Sequence, residues 1–173
     1  FESLLFLYRK DFGGILSPRA AWPILVYGLP TLATRLKRQE ATALAVASFL
    51  ERHPAVARVS YPGLPSYPER DLARRQMIDY AGQFAPGHMV YFEMRSGRAA
   101  ERMVDRIARD AYTVTLAVSL GQVRTLIEHP ASMTHAGLTP AEQRKAGLVP
   151  GGVRLSIGLE EPKDILQDLG RAL

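Results

Sequence analysis

An arginine at position 154 interrupts an apolar run, Gly152-Val153-Arg154-Leu155-Ser156-Ile157-Gly158. Alternation puts Val153, Leu155 and Ile157 on one face of a strand, with Arg154 and Ser156 on the other. A guanidinium placed there reaches either water or an anion, because an unpaired buried one is costly. Ser119 is a second polar residue singled out by position. It ends the stretch 112–121, YTVTLAVSLG, on the face of Thr113, Thr115 and Ala117, just before Gly121. If the two strands are neighbours, a hydroxyl and a guanidinium converge at one sheet edge. That pair suits a carboxylate, whose two oxygens match the planar fork of arginine. The residues alone leave another reading open, in which Arg154 is a solvated or ion-paired surface arginine and Ser119 satisfies local backbone.

Other chemistries find no support in the sequence. The chain has no cysteine, which excludes disulfides, thiolate metal sites and a cysteine nucleophile, and fits a cytoplasmic protein. His53, His88, His129 and His135 include no H-x-x-x-H pair, so no metal site is expected. His129 and His135, flanking PASMT, read as hydrogen-bonded loop residues. There is no P-loop, no G-x-G-x-x-G after a strand and no G-x-S-x-G elbow. The net charge of +5 raises the question of nucleic acid. The arginines, however, sit beside acids at helical spacing, as in Arg98, Glu101, Arg102, Asp105 and Arg106, which is the pattern of a solvated helix face. Neither a nucleic-acid partner nor a membrane is expected, since no apolar run approaches a membrane span. The start at Phe1, with no secretory n-region or h-region, points to a fragment, a processed chain or a trimmed one.

The elements that must position Arg154 and Ser119 follow from hydrophobic period and punctuation. With 173 residues, 47% of them hydrophobic, the chain can bury one ordinary core. Residues 1–30, rich in Gly, Pro and aromatics, read as irregular. A long helix spans about 31–52 and buries Leu32, Leu36, Ala43, Ala47 and Leu50. The strand VARVS follows, ended by the turn Tyr61-Pro62-Gly63. Ser66-Tyr67-Pro68-Glu69 reads as a capping box opening a helix to about Met77. HMVYFEM is a strand, and Gly97–Asp110 a helix whose inner face is Ala100, Met103, Val104 and Ile107. Residues 112–121 form a third strand, with Val114, Leu116 and Val118 on one side. Thr139-Pro140-Ala141-Glu142 is a second capping box, closed by Gly147. After the Arg154 strand, a final helix from Pro162 turns Ile165, Leu166, Leu169 and Leu173 inward. The expectation is an α+β fold, a four-stranded open sheet covered by about five helices on one face.

Beyond this physical reading, the pattern resembles a known family. SLGQVRTLIEHPASMTHAGLTPAEQRKAG from Ser119, followed by VRLSIGLEEPKDILQDL, resembles the closing part of the Cys/Met-metabolism family of pyridoxal-phosphate (PLP) enzymes. Its members include cystathionine and methionine γ-lyases, cystathionine γ-synthases and homoserine-ester sulfhydrylases. The resemblance runs back through HPAVARVSYPGLPSYPERDLARRQM to GGILSPRAAW and covers nearly the whole chain. It implies the C-terminal half of a fold-type-I enzyme, with a mostly antiparallel sheet. Residues 1–30 then lead out of the PLP-binding domain, and 31–173 form the C-terminal domain. It also implies that Arg154 holds the substrate α-carboxylate and that Ser119 lines the same pocket. The family's Schiff-base lysine, its other PLP-binding residues and thus its catalytic residues lie upstream of Phe1, and none of Lys10, Lys37, Lys145 and Lys163 matches that lysine's context.

This chain alone is therefore expected to be inactive. The complete protein is expected to be a cytoplasmic homotetramer acting on a sulfur amino acid, first of all a carbon–sulfur γ-lyase. A γ-replacement enzyme, or a non-catalytic assembly or regulatory module, stands as the alternative. Two positions depart from the family. Tyr27-Gly28-Leu29-Pro30-Thr31-Leu32 stands where R-G-L-K-T-L is usual, and Arg124 where many members carry an acid, which argues against cystathionine as preferred substrate.

Overall fold

A computed structural model describes residues 1–173, save the side chain of Pro140. It divides into two units, Phe1–Thr34 and Arg35–Leu173. The opening segment, expected to be irregular, is helical. It holds α1 (Glu2–Asp11), α2 (Pro18–Pro23) and a π-helical turn at Ile24–Gly28. The prolines that read as breakers are compatible with helix here. Pro18 occupies the first turn, where no N–H bond is lost, and Ser17 caps α2 by accepting the Ala20 N–H at 3.2 Å. Gly13, at φ +64, makes the break between the two helices.

Helix α3 (Leu32–Arg52) buries Gln39, Thr42, Ala43, Val46, Ala47 and Leu50 at helical spacing. Leu32 and Leu36, expected inside, are 40% and 37% exposed. The helix is 21 residues and hence about 30 Å long, more than a sheet of strands about 4.8 Å apart can cover. Its buried stripe accordingly begins only at Gln39.

The second unit is built on five strands rather than the four expected: β1 (Val56–Ser60), β2 (Met89–Met94), β3 (Thr115–Leu116), β4 (Leu126–Glu128) and β5 (Gly152–Ser156). Their order is β1-β2-β5-β4-β3, antiparallel except for the parallel β3–β4 pair. Strand β4 has three residues, all buried, and so shows no alternation to read in the sequence. The expected third strand shrinks to Thr115–Leu116, an edge held only by β4. Its last ladder-like bond is Ala117 N–H to the Ile127 carbonyl at 3.1 Å, after which the chain enters a loop. Ser119 therefore lies in that loop and not at a strand end.

One face of the sheet carries the core. Val90 and Phe92 of β2, Ile127 of β4, and Val153 and Leu155 of β5 are buried together with helical residues. Those come from α3, from α5 (Gly97–Asp110) through Ala100, Met103, Val104 and Ile107, and from α7 (Pro162–Ala172) through Ile165 and Leu169. The period-2 and period-3.6 patterns thus meet in one layer of helices on one sheet face. Asp168 of α7, which no sequence pattern marks, is buried and accepts the Thr113 and Val114 N–H groups at 2.7 and 3.1 Å. It ties the last helix to the entrance of β3.

The two capping boxes fare differently. Thr139 and Glu142 make both reciprocal bonds at the start of α6 (Pro140–Lys145), and Gly147, at φ +74, lies just past its end. At Ser66 no box forms. Helix α4 (Arg70–Gln76) starts one residue after Glu69, which makes no side-chain cap, and the Ser66 hydroxyl donates instead to the Glu51 carboxylate on α3.

A candidate carboxylate site on the polar face of the sheet

Register places three polar residues in one row on the face opposite the core. Tyr91 of β2 pairs with Arg154 of β5, which pairs in turn with Glu128 of β4. Arg154 reaches an anion, and that anion is internal. Its Nη2 lies 3.0 Å from Glu128 Oε2 and donates to the Ser119 carbonyl at 3.0 Å. The Arg154 side chain is 27% exposed and that of Glu128 only 2%. The 3.0 Å contact to Oε2 is an ion pair without an aligned hydrogen bond, and the other carboxylate oxygen takes a long bond from the Thr134 hydroxyl at 3.5 Å. Arg154 and Ser119 meet, but the expected pairing of their strands does not occur, since β4 lies between β3 and β5, and the contact is through the serine's backbone carbonyl and not its hydroxyl. Sequence reasoning missed Glu128, whose partner is 26 positions away and visible only once β4 is paired with β5.

Tyr91 stands next to Arg154 in the row, with Ser60 of β1 beyond it. Burial, with the nearby Glu93 charge, pushes its phenol above the ordinary tyrosine range, so it remains a neutral hydroxyl. A Cβ at Gly152 would collide with that hydroxyl, which explains a glycine inside a buried strand.

The loop carrying Ser119 is fixed by side chains from three distant places. The Ser156 hydroxyl of β5 accepts the Gly121 N–H at 2.9 Å. Gln39 of α3 donates to the Gln122 carbonyl at 2.9 Å, and the Leu159 N–H to the Val123 carbonyl at 2.8 Å. Glu160 accepts the Thr125 N–H and the Thr125 hydroxyl, each at 2.7 Å, while the same hydroxyl accepts the Gly158 N–H at 2.9 Å. Ser156 and Gln39 are both buried, and each is satisfied by its bond to this loop. Glu160→Ala leaves two donors of Thr125 without their acceptor. The expected cost is about 1–3 kcal/mol, read as faster amide exchange in residues 119–125. Exchange unchanged from wild type would show that Glu160 does not hold the loop. Arg124 is exposed on this loop, in an open cleft shared with Tyr112, Glu161 and Asp164.

Beside the row, His129 is buried and both ring nitrogens are engaged, Nδ1 with the Ser132 hydroxyl and Nε2 with the Pro150 carbonyl, each at 2.7 Å. The carbonyl can only accept, so Nε2 carries a proton. His135 pairs with the Thr134 hydroxyl at 2.9 Å. Among the described residues, no group of three or more His, Asp and Glu could hold a metal ion, and no helix is long and apolar enough to cross a membrane.

Pyridoxal phosphate requires a lysine for its aldehyde and an enclosed cradle for its phosphate. Lys10 lies over the Phe6 ring at 5.9 Å and Lys37 over the Tyr80 ring at 5.8 Å. Both are exposed, as are Lys145 and Lys163. The described residues therefore do not by themselves fit that cofactor. What they do present is Arg154, a guanidinium whose side chain is 27% exposed and paired with Glu128.

Comparison with known proteins agrees with the family resemblance seen in the sequence. The family of Cys/Met metabolism PLP-dependent enzymes matches residues 2–173. The L-methionine gamma-lyase of Porphyromonas gingivalis is 42% identical over 165 residues, covering 95% of this chain and 39% of that protein. The O-succinylhomoserine sulfhydrylase of Pseudomonas aeruginosa is 39% identical over 167 residues, 96% of this chain and 39% of that protein. The crystal structure of a cystathione gamma lyase from Micromonospora echinospora superposes with a TM-score of 0.82 at 36% identity, covering 99% of this chain and 42% of that one. The chain thus spans about two fifths of the length of these relatives. On the match over residues 2–173, joined to the fold they share, this chain belongs to the Cys/Met metabolism family of PLP-dependent enzymes.

Proposed function

We propose that this chain is the substrate-carboxylate-binding, C-terminal domain of an enzyme of sulfur amino-acid metabolism, foremost a carbon–sulfur γ-lyase. The observation that carries the reading is Arg154, a partly exposed guanidinium on the polar sheet face, held by Ser119 and Glu128. Bound through its carboxylate at Arg154, an amino acid has one end fixed, which restricts the directions its Cα–H and Cγ–S bonds can take. The Ser119 loop forms a wall beside it. PLP, when bound, supplies the electron sink for negative charge developing at Cα. It is held mainly by the part of the full-length protein outside this chain, so the chain by itself is inactive. The full-length protein is a cytoplasmic homotetramer.

Arg124 bears on the substrate. An arginine has no acceptor to offer a second ammonium, so this position gives cystathionine no contact that methionine lacks. The full-length protein, given L-methionine, should release methanethiol, ammonia and a 2-oxo acid in equal amounts, and should cleave methionine faster than cystathionine. Preference for an O-acylhomoserine with sulfide, giving homocysteine without 2-oxo acid, would replace the lyase with a γ-replacement enzyme, a reading to which the likeness to a sulfhydrylase lends support. No turnover of any of these would favour a non-catalytic module.

A further inference from the structure

We infer that Glu128 is a positioning residue for the carboxylate site: it holds the Arg154 guanidinium in place before a ligand arrives. This rests on the reading of Arg154 as the carboxylate-binding group.

Without such a partner, the long side chain of a strand arginine samples many rotamers in water, and a ligand that needs one of them must stop the rest. Arg154 is not in that condition. Nη2 meets two oxygens at 3.0 Å, the Ser119 carbonyl through a hydrogen bond and Glu128 Oε2 as an ion pair, which approach from the loop after β3 and from β4. Two fixed points on one nitrogen leave the guanidinium little freedom. Glu128 cannot follow it outward, because its own side chain is buried within the strand row.

The choice of residue type fits this role. Ser119 contributes a neutral carbonyl that any residue at 119 would supply. Glu128 contributes charge, and a buried carboxylate with one cation beside it keeps that cation close. Nη2 carries one N–H on each bidentate edge of the guanidinium, the edge shared with Nε and the edge shared with Nη1. The Ser119 carbonyl takes one of them, so holding Nη2 leaves the other edge as the fork a ligand can take. Glu128 touches neither the cofactor nor the reacting bonds in this arrangement, and acts only through Arg154.

The test uses the full-length protein and L-methionine. Glu128→Gln is nearly isosteric and keeps a polar oxygen beside Nη2 without the charge, whereas Glu128→Ala keeps neither. Glu128→Ala should raise KM roughly tenfold and Glu128→Gln about threefold, with kcat within twofold of wild type in both. The Arg154 Nε–H resonance should broaden or exchange faster in the same order. A residue that merely supports the fold would lower kcat and thermal stability together and would leave no graded KM effect. Unchanged KM in both variants, or tighter binding in Glu128→Gln, overturns the inference, the latter by showing competition in place of positioning. Arg154→Lys in parallel separates the two claims. If it raises KM while the Glu128 variants do not, only the role of Glu128 falls. If it too leaves KM unchanged, the carboxylate reading of Arg154 falls as well.

Discussion

Arg154→Ala is expected to destabilise the strand row by about 3–5 kcal/mol, because it leaves a buried carboxylate without its cation. Glu128 is 2% exposed, and Arg154 is the partner found within ion-pair distance of it among the described residues. The Thr134 hydroxyl, at 3.5 Å, is a weak substitute for the guanidinium. The effect should be local to β4 and β5 and so is best read by hydrogen–deuterium exchange of peptides covering residues 126–128 and 152–156 in the full-length protein. The same protein carrying Glu128→Gln as well should regain more than half of the lost protection, since the unpaired charge is then gone. Wild-type exchange in Arg154→Ala would mean that the pair contributes nothing and that Glu128 is neutralised some other way. A rise in KM in the alanine variant mixes weaker binding with lost order, so binding must be judged from a variant that keeps a positive charge at 154.

How far the sequence anticipates this arrangement depends on the distance over which each element is decided. Helix α5 is legible residue by residue: Ser96 caps it by accepting the Ala99 N–H at 3.2 Å, and Ala100, Met103, Val104 and Ile107 recur at helical spacing. Strand β5 is equally readable from its alternation, and Arg154 stands out against it. What fails is decided by partners far along the chain. Ser66 looks like a cap until Glu51, 15 residues upstream, takes its hydroxyl. The end of β3 and the course of the loop after it depend on Gln39, Ser156 and Glu160, none of which marks itself locally. Glu128 is the clearest case, since a buried acid on a three-residue strand has no period to betray it. The candidate site is thus half visible: its arginine and its serine can be named, while the carboxylate paired with the arginine needs the sheet register. The opening prolines show the reverse error, local signals for loop overridden because Pro18 falls where a helix tolerates it.

Arg154→Lys carries the second large effect. Lysine preserves a cation for Glu128 but replaces a planar fork with a point charge, so a carboxylate ligand loses bidentate contact while the fold is retained. Affinity for an amino acid should fall more than tenfold, by roughly 2 kcal/mol, the low end of the cost of removing a charged hydrogen-bonding partner at a binding site. The most direct measurement compares two ligands on two proteins. L-methionine and its decarboxylated amine, which share the thioether and the ammonium, are titrated against full-length wild-type enzyme and Arg154→Lys. If Arg154 takes the carboxylate, the substitution weakens methionine by more than tenfold and leaves the amine within about twofold. Equal weakening of both ligands, or of neither, would contradict the assignment of Arg154 as the carboxylate-binding residue.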